Sequence, residues 1–322
     1  MHAYLDFERP IAELEGKIVE LRLLAAADPT MQIDADVSRL QARADQLVKD
    51  TYAKLTPWQK VQVARHPGRP HFSDYVQHLF DEFTPLAGDR AFAEDAAIIA
   101  ALARFQGRAV AVVGQEKGND TKSRLKHNFG MAMPEGYRKI QRLFGLAERF
   151  ELPVISLVDT SGAYAGVAAE ERGQAEAIAY NLREMSRLEC PVIAVVIGEG
   201  GSGGALAIGV ANRVYLFENA YYSVISPESC AAIIWRDSGK APQAAAALRL
   251  TSSDLLQLGI IDGVVPEHPE GAQADVDAAA QSLRDVFQRA LAELTSMSRE
   301  ELVGDRYDKF RRMGNFFHEE AL

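Results

Sequence analysis

Residues 192–206 constrain the fold more tightly than any other stretch of this chain. Val192–Gly198 is apolar and β-branched, and five of the ten residues in Ile197-Gly-Glu-Gly-Gly-Ser-Gly-Gly-Ala-Leu206 are glycine. Apolar spacing then resumes at Ala205, Ile208 and Val210, so a strand passes through a glycine turn into a helix. Glycine lets the backbone approach a ligand, or another backbone, closely. A helix start presents N–H groups that have no intrahelical acceptor and carry positive partial charge, which suits an anion or a developing oxyanion. A tight strand–helix turn with close packing would use the same residue type, although five glycines exceed what a turn needs. The run is not a Walker A loop, because no Gly-Lys-Ser/Thr follows. It also lies late in the α/β region and lacks the acidic partner about 20 residues on that a dinucleotide fingerprint carries.

The remaining pattern from residue 88 onward is α/β. Short apolar runs at Ala109–Val113, Pro153–Asp159, Val192–Gly198 and Val214–Phe217 read as strands. Helical spacing appears at Glu135–Phe150 and at Glu170–Leu188, the latter with an expected core stripe of Ala175, Ile178, Ala179, Leu182 and Met185. This alternation predicts parallel strands joined by crossover helices. Val276–Leu294 reads as a further amphipathic helix, and the charged tail after Gly304 is expected to pack loosely. Ahead of residue 88, apolar spacing gives one helix over Ile11–Ala27, ended by Asp28 and Pro29, and a second from Asp34 to about Leu55. The two form a helical hairpin that is either a partner surface or a lid on the core. The segment 56–74, with three prolines, reads as an irregular connector.

Composition narrows the function class. With 322 residues and 48 % hydrophobic content, the chain can bury a large core without disulfides or a structural metal. The formal net charge of −10 repels nucleic-acid phosphates overall. Two cysteines, Cys190 and Cys230, exclude a disulfide framework and a cysteine-based zinc site within this chain. No apolar run approaches the ~20 residues of a membrane span, and the N-terminus lacks a secretory apolar stretch, so a cytoplasmic protein is expected.

Two further stretches carry candidate chemistry. Asp159-Thr-Ser-Gly-Ala-Tyr-Ala-Gly-Val167 leaves a strand at its C-terminal end, where open α/β sheets bind ligands. Glu170 and Glu171 follow it, either as an acid–base pair or as ordinary first-turn acids that complement a helix dipole. Ser161 has no histidine in a recognisable partner motif, which argues against a nucleophile. Lys126 to Lys139, with Lys117, Lys122 and Arg124 upstream, is a basic cluster that fits either a phosphate-bearing ligand or a solvated face. His127 reads as a surface residue.

These stretches together resemble the alpha subunits of bacterial acetyl-CoA carboxylase carboxyltransferases. The resemblance rests on Asn128-Phe-Gly-Met131, Pro134-Glu-Gly-Tyr-Arg-Lys139, Asp159-Thr160 with Gly162-Ala-Tyr164, and Ala169-Glu-Glu-Arg-Gly-Gln174. It continues through Asn181–Leu188, Gly198–Gly209 and Tyr222–Glu228, and covers nearly the whole chain. It implies a crotonase-like spiral of ββα units with an N-terminal helical extension, divided as residues 1–87 and 88–322, the first part contacting partners. The parallel α/β character comes from the sequence pattern, whereas the spiral comes from the resemblance.

The implied reaction passes a carboxyl group from carboxybiotin on a carrier protein to acetyl-CoA, giving malonyl-CoA for fatty acid synthesis. Carboxybiotin can release CO2, and the anionic biotin can take the acetyl proton, so the protein mainly stabilises two oxyanions and needs no histidine base. By the resemblance, Gly203 and Gly204 supply N–H groups to the ureido oxygen. Gly162, Ala163, Gly166, Val167 and Ala205 shape the biotin pocket, and Lys126 and Arg138 approach the CoA phosphates or a subunit interface. A beta subunit completes an α2β2 assembly, holds the thioester oxygen and carries zinc, leaving no metal in this chain. A biotin carboxylase spends ATP upstream. Ser161 and Ala165 stand where many relatives have proline, which bears on loop rigidity. The rival readings are a biotin-independent hydratase or isomerase using Glu170 or Glu171, a propionyl-CoA carboxyltransferase, and a scaffold whose glycines only pack.

Overall fold

The computed structural model describes residues 3–28 and 31–314. The helix stop at Pro29 and the last part of the charged tail, residues 315–322, lie outside the described residues.

Among the described residues, eight strands form one sheet: β1 (Asp81–Pro85), β2 (Ile98–Phe105), β3 (Arg108–Gln115), β4 (Val154–Thr160), β5 (Val192–Gly201), β6 (Arg213–Phe217), β7 (Tyr221–Ser223) and β8 (Gly263–Val265). Their order is β1-β2-β3-β4-β5-β6-β8, and β7 pairs with the far end of β5. β1, β2 and β3 pair antiparallel, and the strand pairings from β3–β4 onward are parallel. Every residue of β4 and β5 is buried, as expected for central parallel strands covered on both faces. The four strands expected from the sequence are β3 to β6. In the β4–β5 ladder Val154 faces Val192 and Val158 faces Val196, but the register shifts before Thr160 meets Gly200. That irregularity falls at Asp159, where the first candidate loop begins.

Helices Pro134–Phe150 and Gln174–Arg187 cross between these strands. The single helix expected over Glu170–Leu188 is instead two, Val167–Glu171 and Gln174–Arg187, because Gly173 adopts a φ of 79° and ends the first. The break also resets the buried face, which is Gln174, Ala177, Asn181 and Met185, while Ala175 and Ala179 are exposed. Gln174 belongs inside because its amide donates to the carbonyls of Ala132 (2.8 Å) and Tyr164 (2.9 Å).

Segment 56–74 is not an irregular connector. Thr56 caps a helix over Pro57–Ala64 by accepting from the Gln59 N–H, with Pro57 at the first helical position. A second helix, Phe72–Leu79, sends Phe72 and Tyr75 into the main core, and β1 follows directly, so the core begins ahead of residue 88. The N-terminal helices run Arg9–Ala27 and Asp34–Tyr52, with Ile11 and Ile18 of the first and Ala44 and Val48 of the second buried.

The tail after Gly304 is likewise packed as far as it is described. Ser298 and Glu301 cap a helix over Arg299–Arg312. Its Arg306, 1 % exposed, donates to the carbonyls of Met185, Leu188 and Cys190 and to Asn212 Oδ1, at 2.6 to 3.0 Å. Charge density misread this segment because a single buried guanidinium can satisfy several carbonyls at once. Among the described residues no helix is long and apolar enough to cross a membrane, and no group of three or more His, Cys, Asp or Glu could hold a metal ion.

Candidate active site

The C-terminal ends of β3, β4 and β5 lie side by side and deliver both glycine loops to one place. β5 ends at Gly201, and a five-residue helix, Ser202–Leu206, begins at once. Ser202 makes that sharp corner with a φ of 50°, a left-handed conformation unusual for a non-glycine residue. The turn packs backbone to backbone against residues 161–163. A Cβ on Gly204 would sit 2.5 Å from the Ala163 nitrogen and 2.6 Å from the Gly162 carbonyl carbon, and one on Gly201 would overlap the Ser161 carbonyl. Gly203 is different, since a Cβ there would meet only Ile178, at 3.7 Å. Close packing therefore accounts for Gly201 and Gly204, and leaves Gly203 with room on its open side.

Two side chains hold the loops in register. Fully buried Gln115, at the end of β3, donates to the Gly204 carbonyl (3.0 Å) and accepts from the Asp159 N–H (3.0 Å). Thr160 Oγ1 donates to the Gly162 carbonyl (2.7 Å) and accepts from the Gly162 N–H (3.1 Å). Gln174 secures the same loop at Tyr164, as described above. The Gly203 side borders an apolar cavity of about 290 Å³ lined by Ser202, Leu206, Tyr222, Val224, Leu255 and Ile260.

The other expected residues are distributed unevenly. Ala205 is fully buried, whereas Val167 is 75 % exposed at the start of its helix. A Cβ on Gly166 would meet the Tyr164 ring at 2.7 Å. Lys126 is exposed at the end of helix Thr121–Lys126. Arg138 is engaged by Asp89 (3.1 Å) and by the Arg172 carbonyl (2.9 Å). Glu170 and Glu171 are both exposed.

Sequence reasoning missed a buried ionic cluster beneath the loops. Lys117 Nζ lies 2.8 Å from Asp159 Oδ1 and 2.9 Å from Glu199 Oε1. His71 Nδ1 is 3.0 Å from Asp159 Oδ2, and Arg65 Nε is 2.9 Å from Glu199 Oε2, which also accepts from the Tyr221 hydroxyl at 2.7 Å. Burial alone would push the Asp159 and Glu199 carboxyls up, but the Lys117 charge, with help from His71 and Arg65, holds both below the usual range. Burial alone would lower the Lys117 ammonium, yet the two carboxylates raise it above its ordinary value. Arg65 and His71 come from the segment read as a connector, and its Arg-x-x-x-Arg-x-His spacing was the only available signal.

A mixed sheet whose central parallel strands end in paired glycine loops, covered by crossover helices, resembles the crotonase-like carboxyltransferase fold. Solved structures agree at the level of the fold. Transcarboxylase 12S matches with a TM-score of 0.58 at 20 % identity, covering 79 % of this chain and 45 % of that one. A Pseudomonas malonate decarboxylase hetero-dimer gives the same TM-score and identity over 76 % of this chain and 96 % of that one. Residues 4–314 match the family described as acetyl co-enzyme A carboxylase carboxyltransferase-like. Acetyl-coenzyme A carboxylase carboxyl transferase alpha subunits from Rhizobium rhizogenes and Agrobacterium fabrum are 60 % and 56 % identical, each over 98 % of this chain and 99 % of theirs. The chain belongs to the acetyl-CoA carboxylase carboxyltransferase family, as an alpha subunit.

Proposed function

We propose that this alpha subunit holds carboxybiotin, presented by a carrier protein, while its carboxyl group passes to acetyl-CoA to give malonyl-CoA. The observation that carries this reading is the packed pair of glycine loops, which leaves the Gly203 side open onto an apolar cavity. The first-turn N–H groups of Gly203 and Gly204 donate to the ureido oxygen, and removing one such donor costs ~3–4 kcal/mol of barrier stabilisation. Gly162, Ala163, Gly166 and Val167, on the neighbouring loop and outside the lining of that cavity, form the opposite wall, and fully buried Ala205 supports the turn from behind. Lys126 offers an exposed ammonium to the CoA phosphates, whereas Arg138 reaches an anion only by giving up Asp89.

The thioester oxygen is held by a beta subunit, which also carries the zinc, in an α2β2 assembly in the cytoplasm. Biotin carboxylase and the biotin carboxyl carrier protein supply the carboxyl donor. Within residues 1–87 the helical hairpin 9–52 contacts partners, consistent with the exposed Val19, Leu23 and Leu24 on its first helix, whereas Phe72 and Tyr75 already belong to the core. A hydratase would need Glu170 or Glu171 inside the pocket, and both face solvent.

The test measures malonyl-CoA formation from acetyl-CoA and carboxybiotin by the chain alone and with its beta partner. Turnover only with the partner is expected. Enoyl-CoA hydration by the chain alone, with no transfer by the pair, would sink the reading.

A further inference from the structure

We infer that Lys117 is a positioning residue for the proposed carboxyl transfer, fixing the spacing of the two glycine loops by bridging Asp159 and Glu199. The inference rests on that function. Asp159 immediately precedes the loop 160–166, and Glu199 precedes the turn into Ser202–Leu206. Regular ladder pairing is interrupted between Val158 and Thr160, so backbone register alone does not set the separation of the loops. The ammonium at 2.8 and 2.9 Å from the two carboxylates adds a charged bridge across that interruption, alongside the Gln115 and backbone contacts between the loops. The Asp159 and Glu199 side chains are only 2 % and 9 % exposed, so without a cation shared between them the two carboxylates would repel in a medium of low dielectric. The Glu199 N–H also donates to Asp159 Oδ1 (2.9 Å), so parting the carboxylates would move both strand ends.

The other charges around the pair leave Lys117 as its shared cation. His71 faces Asp159, while Arg65 faces Glu199 together with Tyr221 and is also engaged by Glu228. Arg69 stands behind them, held by Glu267 at 2.7 Å, and Arg124 donates to the Gly118 carbonyl. A cavity of about 280 Å³ beside the cluster is lined by Lys117, His71 and Ser161 of the first loop. Of its basic lining side chains, Lys117, Arg65 and His71 are engaged by carboxylates, so it reads as part of the support and not as a ligand site.

The experiment uses the assembled alpha–beta complex and compares the parent with Lys117→Met from pH 6 to pH 8. The expected result is a kcat at least tenfold lower, with KM for acetyl-CoA within threefold of the parent. Without the ammonium, one carboxylate of the pair takes up a proton more readily. The ratio of variant to parent kcat therefore rises as pH falls, a trend that loss of packing alone would not produce. An unchanged kcat, a pH-independent ratio, or a raised KM at constant kcat would overturn the inference. Should the single variant fail to fold, Lys117→Met with Glu199→Gln removes one charge of each sign while leaving the bridge absent. Its kcat is expected to stay below the parental value because the bridge is absent, with a variant-to-parent ratio that no longer changes with pH because only one carboxylate remains. A parental kcat, or a ratio that still rises as pH falls, would overturn the inference. Turnover by the parental complex tests the transfer reading separately, because only the variant-to-parent ratio bears on the bridge.

Discussion

Gly203→Ala and Gly204→Ala differ by one methyl at adjacent positions, and the structure predicts opposite outcomes. At Gly204 the new Cβ would stand 2.5 Å from the Ala163 nitrogen, against an ordinary contact of at least 3.4 Å, so the loops must part by about 0.9 Å. The obstacle is backbone, which cannot rotate away as a side-chain tip can. Overpacking of this kind costs ~1–3 kcal/mol of stability. A displacement near 1 Å at a reacting centre costs ~10²-fold in rate, or about 2.7 kcal/mol of barrier. At Gly203 the nearest atom is Ile178 Cδ1 at 3.7 Å, so nothing has to move. Its stability should stay within about 1 kcal/mol of the parent, with any change favouring the helix.

The assay pairs thermal unfolding of each variant with malonyl-CoA formation by the alpha–beta complex. Gly204→Ala should lose both stability and turnover, whereas Gly203→Ala should keep its stability. A folded Gly204→Ala complex with parental kcat would refute the claim that contact between residues 162–163 and 204 sets the site. A strongly destabilised Gly203→Ala would refute the distinction between the two glycines.

Other perturbations follow from the same geometry. Gln174→Leu removes the bonds to the Ala132 and Tyr164 carbonyls, and should cost ~1–3 kcal/mol with a lower kcat, read from denaturant unfolding and turnover. Arg306→Met leaves three buried carbonyls without their donor and should lower stability by ~2–4 kcal/mol, measurable as a shifted denaturation midpoint, while KM stays unchanged. Burial pushes the Asp89 carboxyl up, but the N–H groups of Phe92, Ala91 and Ala93 together with Arg138 pull it down to about 2. A depressed carboxyl stabilises the fold above its unfolded pKa, and that contribution disappears as pH falls through the folded value. Asp89→Asn should therefore be less stable at neutral pH by ~1–3 kcal/mol. The gap to the parent should close towards pH 2 in acid titrations followed by circular dichroism.

The sequence made some levels of this structure readable and hid others. β3 to β6 were legible because buried parallel strands need continuous β-branched runs, and the glycine loops because few other reasons place five glycines after such a run. The resemblance supplied the reaction, which no spacing of titratable groups announced. Gly173 hid the break after Glu171, because Ala-rich turns on either side keep the helical period without showing its phase. The ionic cluster was invisible for a different reason. Lys117, Asp159, Glu199 and Arg65 lie on separate elements, and each alone looks like a surface charge. The helix Pro57–Ala64 could have been read from Thr56-Pro-Trp-Gln59, a capping box opened by proline, but the prolines around it pointed to a loop.

The Arg306 anchor also bears on the order in which the molecule can become complete. The Cys190 carbonyl, at the entrance to central strand β5, receives its donor from a residue 116 positions later in the chain. During synthesis the sheet can collapse and pair early, yet the turn that feeds its central strand stays without a donor until the helix Arg299–Arg312 arrives. Final consolidation of the site's own scaffold thus waits for a helix whose anchoring residue is made 116 positions after the carbonyl it latches. A nascent chain stalled before that helix would present a formed but unlatched sheet to chaperones and proteases.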